Sequence, residues 1–177
     1  MNLIQDQTYI QYELLSLYMK KFEQTDSREE RDMLLSKIVV VGTYLKRRKN
    51  LVLTRYSSQG DFLTMADLKQ SLAESCENLK LCKIRAAYYV ENGDVQLNAD
   101  DILKCYDTFE WLVERLFDTM QSVFYRVSQI DDALRVLPVL RLECLRDRRA
   151  DFGQVEIHNL AVSFYNLIHW VFSPSSF

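Results

Sequence analysis

The chain has 177 residues, 48% of them hydrophobic and 27% charged, with a formal net charge of −3. That apolar share can fill a core, which excludes a disordered tail, and four glycines with two prolines exclude collagen-like and linker-like sequence. An acidic balance also lacks the electrostatic footprint of a nucleic-acid binder.

The opening residues MNLIQDQTYI carry no basic stretch followed by an apolar run, so no signal peptide is expected. Cys76, Cys82, Cys105 and Cys144 show no CxxC spacing, which fits reduced thiols in a cytoplasm. His158 and His169 are eleven residues apart, roughly 16 Å along a helix and too far to share a metal ion.

In chain order, residues 8–23 predict a helix from the spacing of Ile10, Leu14 and Leu17. Gln24 to Arg28 is a polar break, and Ser27 with Glu30 fits a capping box, although one continuous helix is also compatible. Residues 28–56 predict a second helix. Leu34, Ile38, Val41, Leu45 and Val52 form a narrow seam of heptad type, as in a hairpin or a dimeric bundle. Gly42 costs about 1 kcal/mol against Ala in mid-helix. It predicts close helix–helix contact there, with a flex point as the alternative. Lys46, Arg47, Arg48 and Lys49 form a basic run, read as a solvated helix end or a docking site for an acidic partner.

A turn at 57–60 leads to a third helix opened by Thr64 and Asp67, with Met65, Leu68, Leu72 and Leu79 on one side. Alternation of Ile84, Ala86, Tyr88 and Val90 with polar or exposed-type neighbours predicts a strand, and Asn92-Gly93 a turn. Asn98 and Asp101 cap a long helix expected over 99–129, with the stripe Ile102, Tyr106, Phe109, Val113, Leu116, Met120, Val123 and Val127. Leu134, Val136, Leu140, Leu142 and Cys144, alternating with Arg135, Arg141 and Glu143, predict another strand, which Pro138 assigns to an edge or a bulge. From Ile157 to Phe177 there is no Asp, Glu, Lys or Arg. Leu160, Phe164, Leu167 and Val171 there have helical spacing, with a returning strand or a membrane-touching tail as alternatives. The fold class is α+β, mainly helical: an antiparallel helical hairpin or bundle, then a small reduced α/β sandwich.

This order resembles the cytoplasmic region of bacterial sensor histidine kinases. The segments that carry the resemblance are Arg28 to Leu35, Leu68 to Cys82 running into Lys83-Ile-Arg-Ala-Ala, Tyr106 to Glu114, and Leu140 to Cys144. It implies a lead-in signalling helix over 1–27, a dimerising hairpin over 28–80 and a degenerate ATPase-like domain over 81–177. It also implies a homodimer through the Leu34 to Val52 seam, with a histidine kinase or a response regulator as partner. A membrane would be reached only through a larger parent or the C-terminal tail.

The chain departs from that family at the chemistry. Lys37 to Lys46 holds no His to phosphorylate. Glu110 matches the Glu of the kinase N box, but Glu114 stands where its Mg²⁺-binding Asn belongs. A carboxylate suits Mg²⁺, so ATP and magnesium remain an alternative to having no cofactor. Asp151-Phe-Gly153 is followed by no further glycine. The reading is therefore a non-catalytic dimerising scaffold or regulator. The alternatives are an ATP–Mg²⁺ protein that phosphorylates a partner's His, and an all-α interaction module.

Overall fold

The computed structural model describes residues 3–57, 61–91, 93–130 and 133–142. Expectations for Cys144, Asp151-Phe-Gly153, the two histidines and the uncharged tail lie outside the described residues.

The described residues form nine elements: α1 (Leu3–Gln24), α2 (Arg28–Ser57), β1 (Phe62–Thr64), α3 (Met65–Leu81), β2 (Arg85–Val90), β3 (Gln96–Asn98), α4 (Ala99–Leu116), β4 (Met120–Ile130) and β5 (Ala133–Leu142). The mainly helical α+β class is the one observed.

α1 does not run on into α2. The chain breaks at 25–27, and Ser27 caps α2 by accepting the Glu30 N–H at 3.4 Å. The Ser27 N–H donates to Thr25 Oγ1 at 3.4 Å and the Glu30 carboxylate accepts the Thr25 hydroxyl at 2.5 Å, so Thr25 stands between Ser27 and Glu30 in place of the reciprocal half of the box. α1 then folds back along α2. Arg31 sits 4.8 Å from the Phe22 ring and Lys37 5.7 Å from the Tyr18 ring, which sets the two helices antiparallel. On its other side α2 runs antiparallel to α3, with Asn78 donating to Thr43 Oγ1 at 2.7 Å and Lys46 to Glu74 at 2.8 Å. α2 is thus flanked by an antiparallel partner on either side, α1 before it and α3 after it.

α3 opens with both halves of a capping box between Thr64 and Asp67. Two further N–H groups of its first turn donate outside the helix, Met65 to Val95 O and Ala66 to Gly93 O. The loop after β2 thereby seals the start of α3, and the short β1–β3 pair holds it in place. Met65, Leu68, Leu72 and Leu79 are buried, as their spacing required.

The long helix expected over 99–129 is two elements. α4 stops at Leu116, and β4 begins at Met120. Spacings of three and four residues from Val113 to Val127 fit a helical stripe, but Val123, Tyr125 and Val127 also alternate, and those are the buried side chains. β-branched and aromatic residues favour a pleated, half-buried surface. The alternation there wins once β4 is paired on both sides. β2 pairs with it in parallel and β5 antiparallel, giving the order β2-β4-β5. Pro138 lies on β5, the edge predicted for it, and the register shift lies between Met120 and Ser122.

One face of this sheet carries Ala86, Val123, Tyr125, Val127 and Val136 into the core. The Phe109 ring of α4 meets Tyr125 edge-on at 5.1 Å, and the Tyr125 hydroxyl donates to Cys105 O at 2.8 Å.

Candidate functional site

Three places concentrate chemistry: a buried polar junction between the hairpin and the α/β part, the outer face of the α1–α2 hairpin, and the outer face of the sheet.

The junction centres on Asp107 of α4. Its carboxylate accepts from Arg48 Nε at 2.9 Å, Arg48 Nη2 at 3.2 Å and the Tyr44 hydroxyl at 2.8 Å. Arg48 is 3% exposed, so its charge depends on that fork-to-fork pairing. Tyr44 stacks on Tyr106 at 5.7 Å, and the Tyr106 hydroxyl lies 2.8 Å from Ser75 Oγ. Burial first, and then the Asp107 carboxylate, push the Tyr44 hydroxyl far up, so it stays protonated and donating. Burial, with Glu110 next, does the same to Tyr106.

Glu110 lies one turn on and is buried in the core. Its Oε1 has no hydrogen-bond partner among the described residues. Burial, then Glu114, then Asp107 raise its pKa well above the usual carboxylate range. Glu110 therefore does not present oxygens to solvent as the N-box resemblance implies, and Glu114 is half-buried. Among the described residues no group of three His, Cys, Asp or Glu is placed to hold a metal ion. Burial pushes the Cys76 and Cys105 thiols up to about 12, and the Cys82 thiol up as well, so none is an activated nucleophile.

The basic run is largely consumed. Lys46 and Arg47 both pair with Glu74 of α3, and Arg48 with Asp107; Lys46 and Lys49 are its exposed members.

The predicted seam is also spent within the chain. Leu34, Val41, Leu45 and Val52 are buried and Ile38 is half-buried in this single chain. The heptad spacing is real, but its side chains are buried on α2, which packs against this chain's own α1, α3 and α4. Gly42 likewise does not mark a tight intrachain contact, since a Cβ there would meet nothing within 4 Å.

The unspent apolar surface lies elsewhere on the hairpin. Ile10, Tyr12, Leu17 and Met19 of α1 and Leu35, Leu53 and Tyr56 of α2 are exposed, with Ile10 at 66% and Tyr56 at 67%. A groove of about 530 Å³ runs between the two helices, lined by Tyr12, Leu45, Val52, Leu53 and Tyr56, with Arg48 and Lys49 beside them. On the sheet, Tyr89, Phe124, Leu137 and Val139 point away from the core and are exposed.

Sequence reading missed Asp107, because it sits between Tyr106 and Phe109 on an apolar stripe and looks like a solvated flank. It missed the outward apolar residues of the strands too, although the alternation that found the strands contained them.

No family model matches the chain, and no curated protein does. Among solved structures it is similar to a bacterial phosphotransferase determined at 1.7 Å, at 12% identity, over 92% of this chain and 80% of that one, with a TM-score of 0.38. A likeness that low carries no weight for function. No helix among the described residues is long and apolar enough to cross a membrane.

Proposed function

We propose that the chain is a non-catalytic, self-associating helical-hairpin module of two-component-type signalling, acting as a scaffold or regulator. The observation that supports it is the exposed apolar side chains that border the α1–α2 groove, Tyr12 of α1 with Leu53 and Tyr56 of α2. Exposed apolar area of this kind marks protein–protein contact more often than chance scatter. The resemblance to kinase cytoplasmic regions supplies the setting, a cytoplasmic homodimer with a histidine kinase or response regulator as its partner.

The dimer contact is therefore assigned to the outer hairpin face instead of the Leu34 to Val52 seam. Gly42 fits that placement, because its half-exposed backbone lets a second helix come close without displacing anything in its own chain. Light scattering on the purified chain at micromolar concentration tests this. A dimer that becomes a monomer in Leu53→Glu/Tyr56→Glu, with the helical circular dichroism unchanged, is expected. A wild-type monomer would sink the self-association reading.

The kinase-type alternative, ATP–Mg²⁺ held through Glu110 and Glu114, draws little from this geometry, since Glu110 faces the core. Calorimetric titration with ATP–Mg²⁺ decides it, and micromolar binding lost in Glu114→Gln would restore it.

A further inference from the structure

We infer that the outer face of the β2–β4–β5 sheet is a docking surface for a protein segment that carries acidic side chains around an apolar stripe. The inference rests on the scaffold reading for its setting, since a scaffold needs a surface for a client as well as one for itself.

The face is built by the strand register. Ala87, Phe124 and Val139 form one cross-strand row, and Tyr89, Arg126 and Leu137 the next. A sheet in a two-layer fold commonly turns polar residues to water on its open side. Here Tyr89, Phe124, Leu137 and Val139 are exposed at 48, 39, 45 and 54%. Adjacent rows make them one patch and not scattered residues, and contiguous patches of this kind are frequently functional.

Charge identifies the occupant. None of the three strands contains an Asp or Glu, and Arg85 and Arg126 stand on the outer rows, in a chain whose net charge is −3. Arg85 and Arg126 are exposed beside the apolar rows, and the Arg126 guanidinium lies 5.4 Å from the centroid of the Tyr89 ring. A second copy laid face to face would set arginine against arginine, which disfavours that occupant. The overall acidic balance disfavours nucleic acid and anionic membranes. A protein segment with an apolar stripe and flanking carboxylates satisfies both halves of the surface, and charge-complementary pairing sets the selectivity.

Fluorescence anisotropy with two labelled helical peptides tests it on the full chain. Both carry the same Leu–Phe stripe, one flanked by Glu and its twin by Lys. The Glu peptide should bind about tenfold tighter or more, the preference should invert in Arg85→Glu/Arg126→Glu, and Phe124→Ser/Leu137→Ser should lose both peptides while keeping its circular dichroism. Equal affinity for the two peptides, no binding of the Glu peptide, or indifference to the arginine reversals would overturn the inference. So would tighter binding of an oligo-U RNA. A drop in molecular mass in Phe124→Ser/Leu137→Ser would assign the face to a second copy. A thiol at Phe124→Cys that resists maleimide in the full chain would assign it to the chain's own residues. Leu53→Glu/Tyr56→Glu separates this inference from the dimer: it should leave peptide binding intact whatever it does to the mass.

Discussion

Replacing Asp107 by Ala should be among the most damaging single changes in the described structure. Asp107 accepts three hydrogen bonds, two from Arg48 and one from Tyr44. Removing it leaves a guanidinium that is 3% exposed with its main counter-charge gone. Breaking a buried pair from one side typically costs about 3–5 kcal/mol, because the remaining charge stays desolvated. The Asp107 side chain is itself 32% exposed, so water can enter the vacated space, and the expected loss lies near the lower end, about 3 kcal/mol. The opposite change is informative. Arg48→Met keeps the buried volume and leaves a carboxylate that water already reaches, so it should cost about 1–2 kcal/mol less than Asp107→Ala. Urea unfolding followed by circular dichroism and tryptophan fluorescence measures both. The difference should survive high salt, since a buried pair is poorly screened. A loss under about 1 kcal/mol for Asp107→Ala, or an equal loss for the two variants, would refute the view that this pair locks the hairpin to the α/β part.

Local geometry and titration set further outcomes. Lys83 holds φ at 65°, the left-handed position that ends α3, where Ile84 N–H bonds Leu79 O and Lys83 N–H bonds Lys80 O. That conformation costs a side chain roughly 1–2 kcal/mol, and glycine returns about 0.5–1 kcal/mol of it through unfolded-state entropy. Lys83→Gly should therefore raise stability by about 0.5–1 kcal/mol in thermal or urea unfolding, and a loss of stability would contradict it. Glu110 binds its proton more tightly folded than unfolded. Its contribution is fully present below the ordinary carboxylate value, about 4.3, and is lost as pH rises through the raised folded value. Glu110→Gln should remove that slope, gaining on the wild type as pH increases; melting curves from pH 5 to 9 that stay parallel would show that Glu110 is not the titrating group.

Much of the fold is local and was readable in the chain. The Thr64–Asp67 box, the Ser27 cap, the alternation through Ile84 to Val90 and the position of Pro138 are each set by neighbours a few residues away. The junction of α4 and β4 was not readable, because a spacing of four residues satisfies both periods and only pairing to β2 and β5 separates them. The three-residue strands β1 and β3 are too short for any periodicity to register.

The candidate sites divide along the same line. The absence of His from Lys37 to Lys46 and the carboxylates at Glu110 and Glu114 are facts of composition and order, complete before folding. Whether an apolar seam serves a second copy or the chain itself depends on what stands opposite it, and Leu34, Val41, Leu45 and Val52 are already buried within the single chain. The same holds for charge: Lys46 to Arg48 look free along the chain, and Glu74 and Asp107 claim them only once α3 and α4 lie against α2. Sequence determines which groups exist and which face of an element they share. Tertiary structure alone decides which of those faces are left for a partner, because burial and ion pairing are properties of two surfaces brought together.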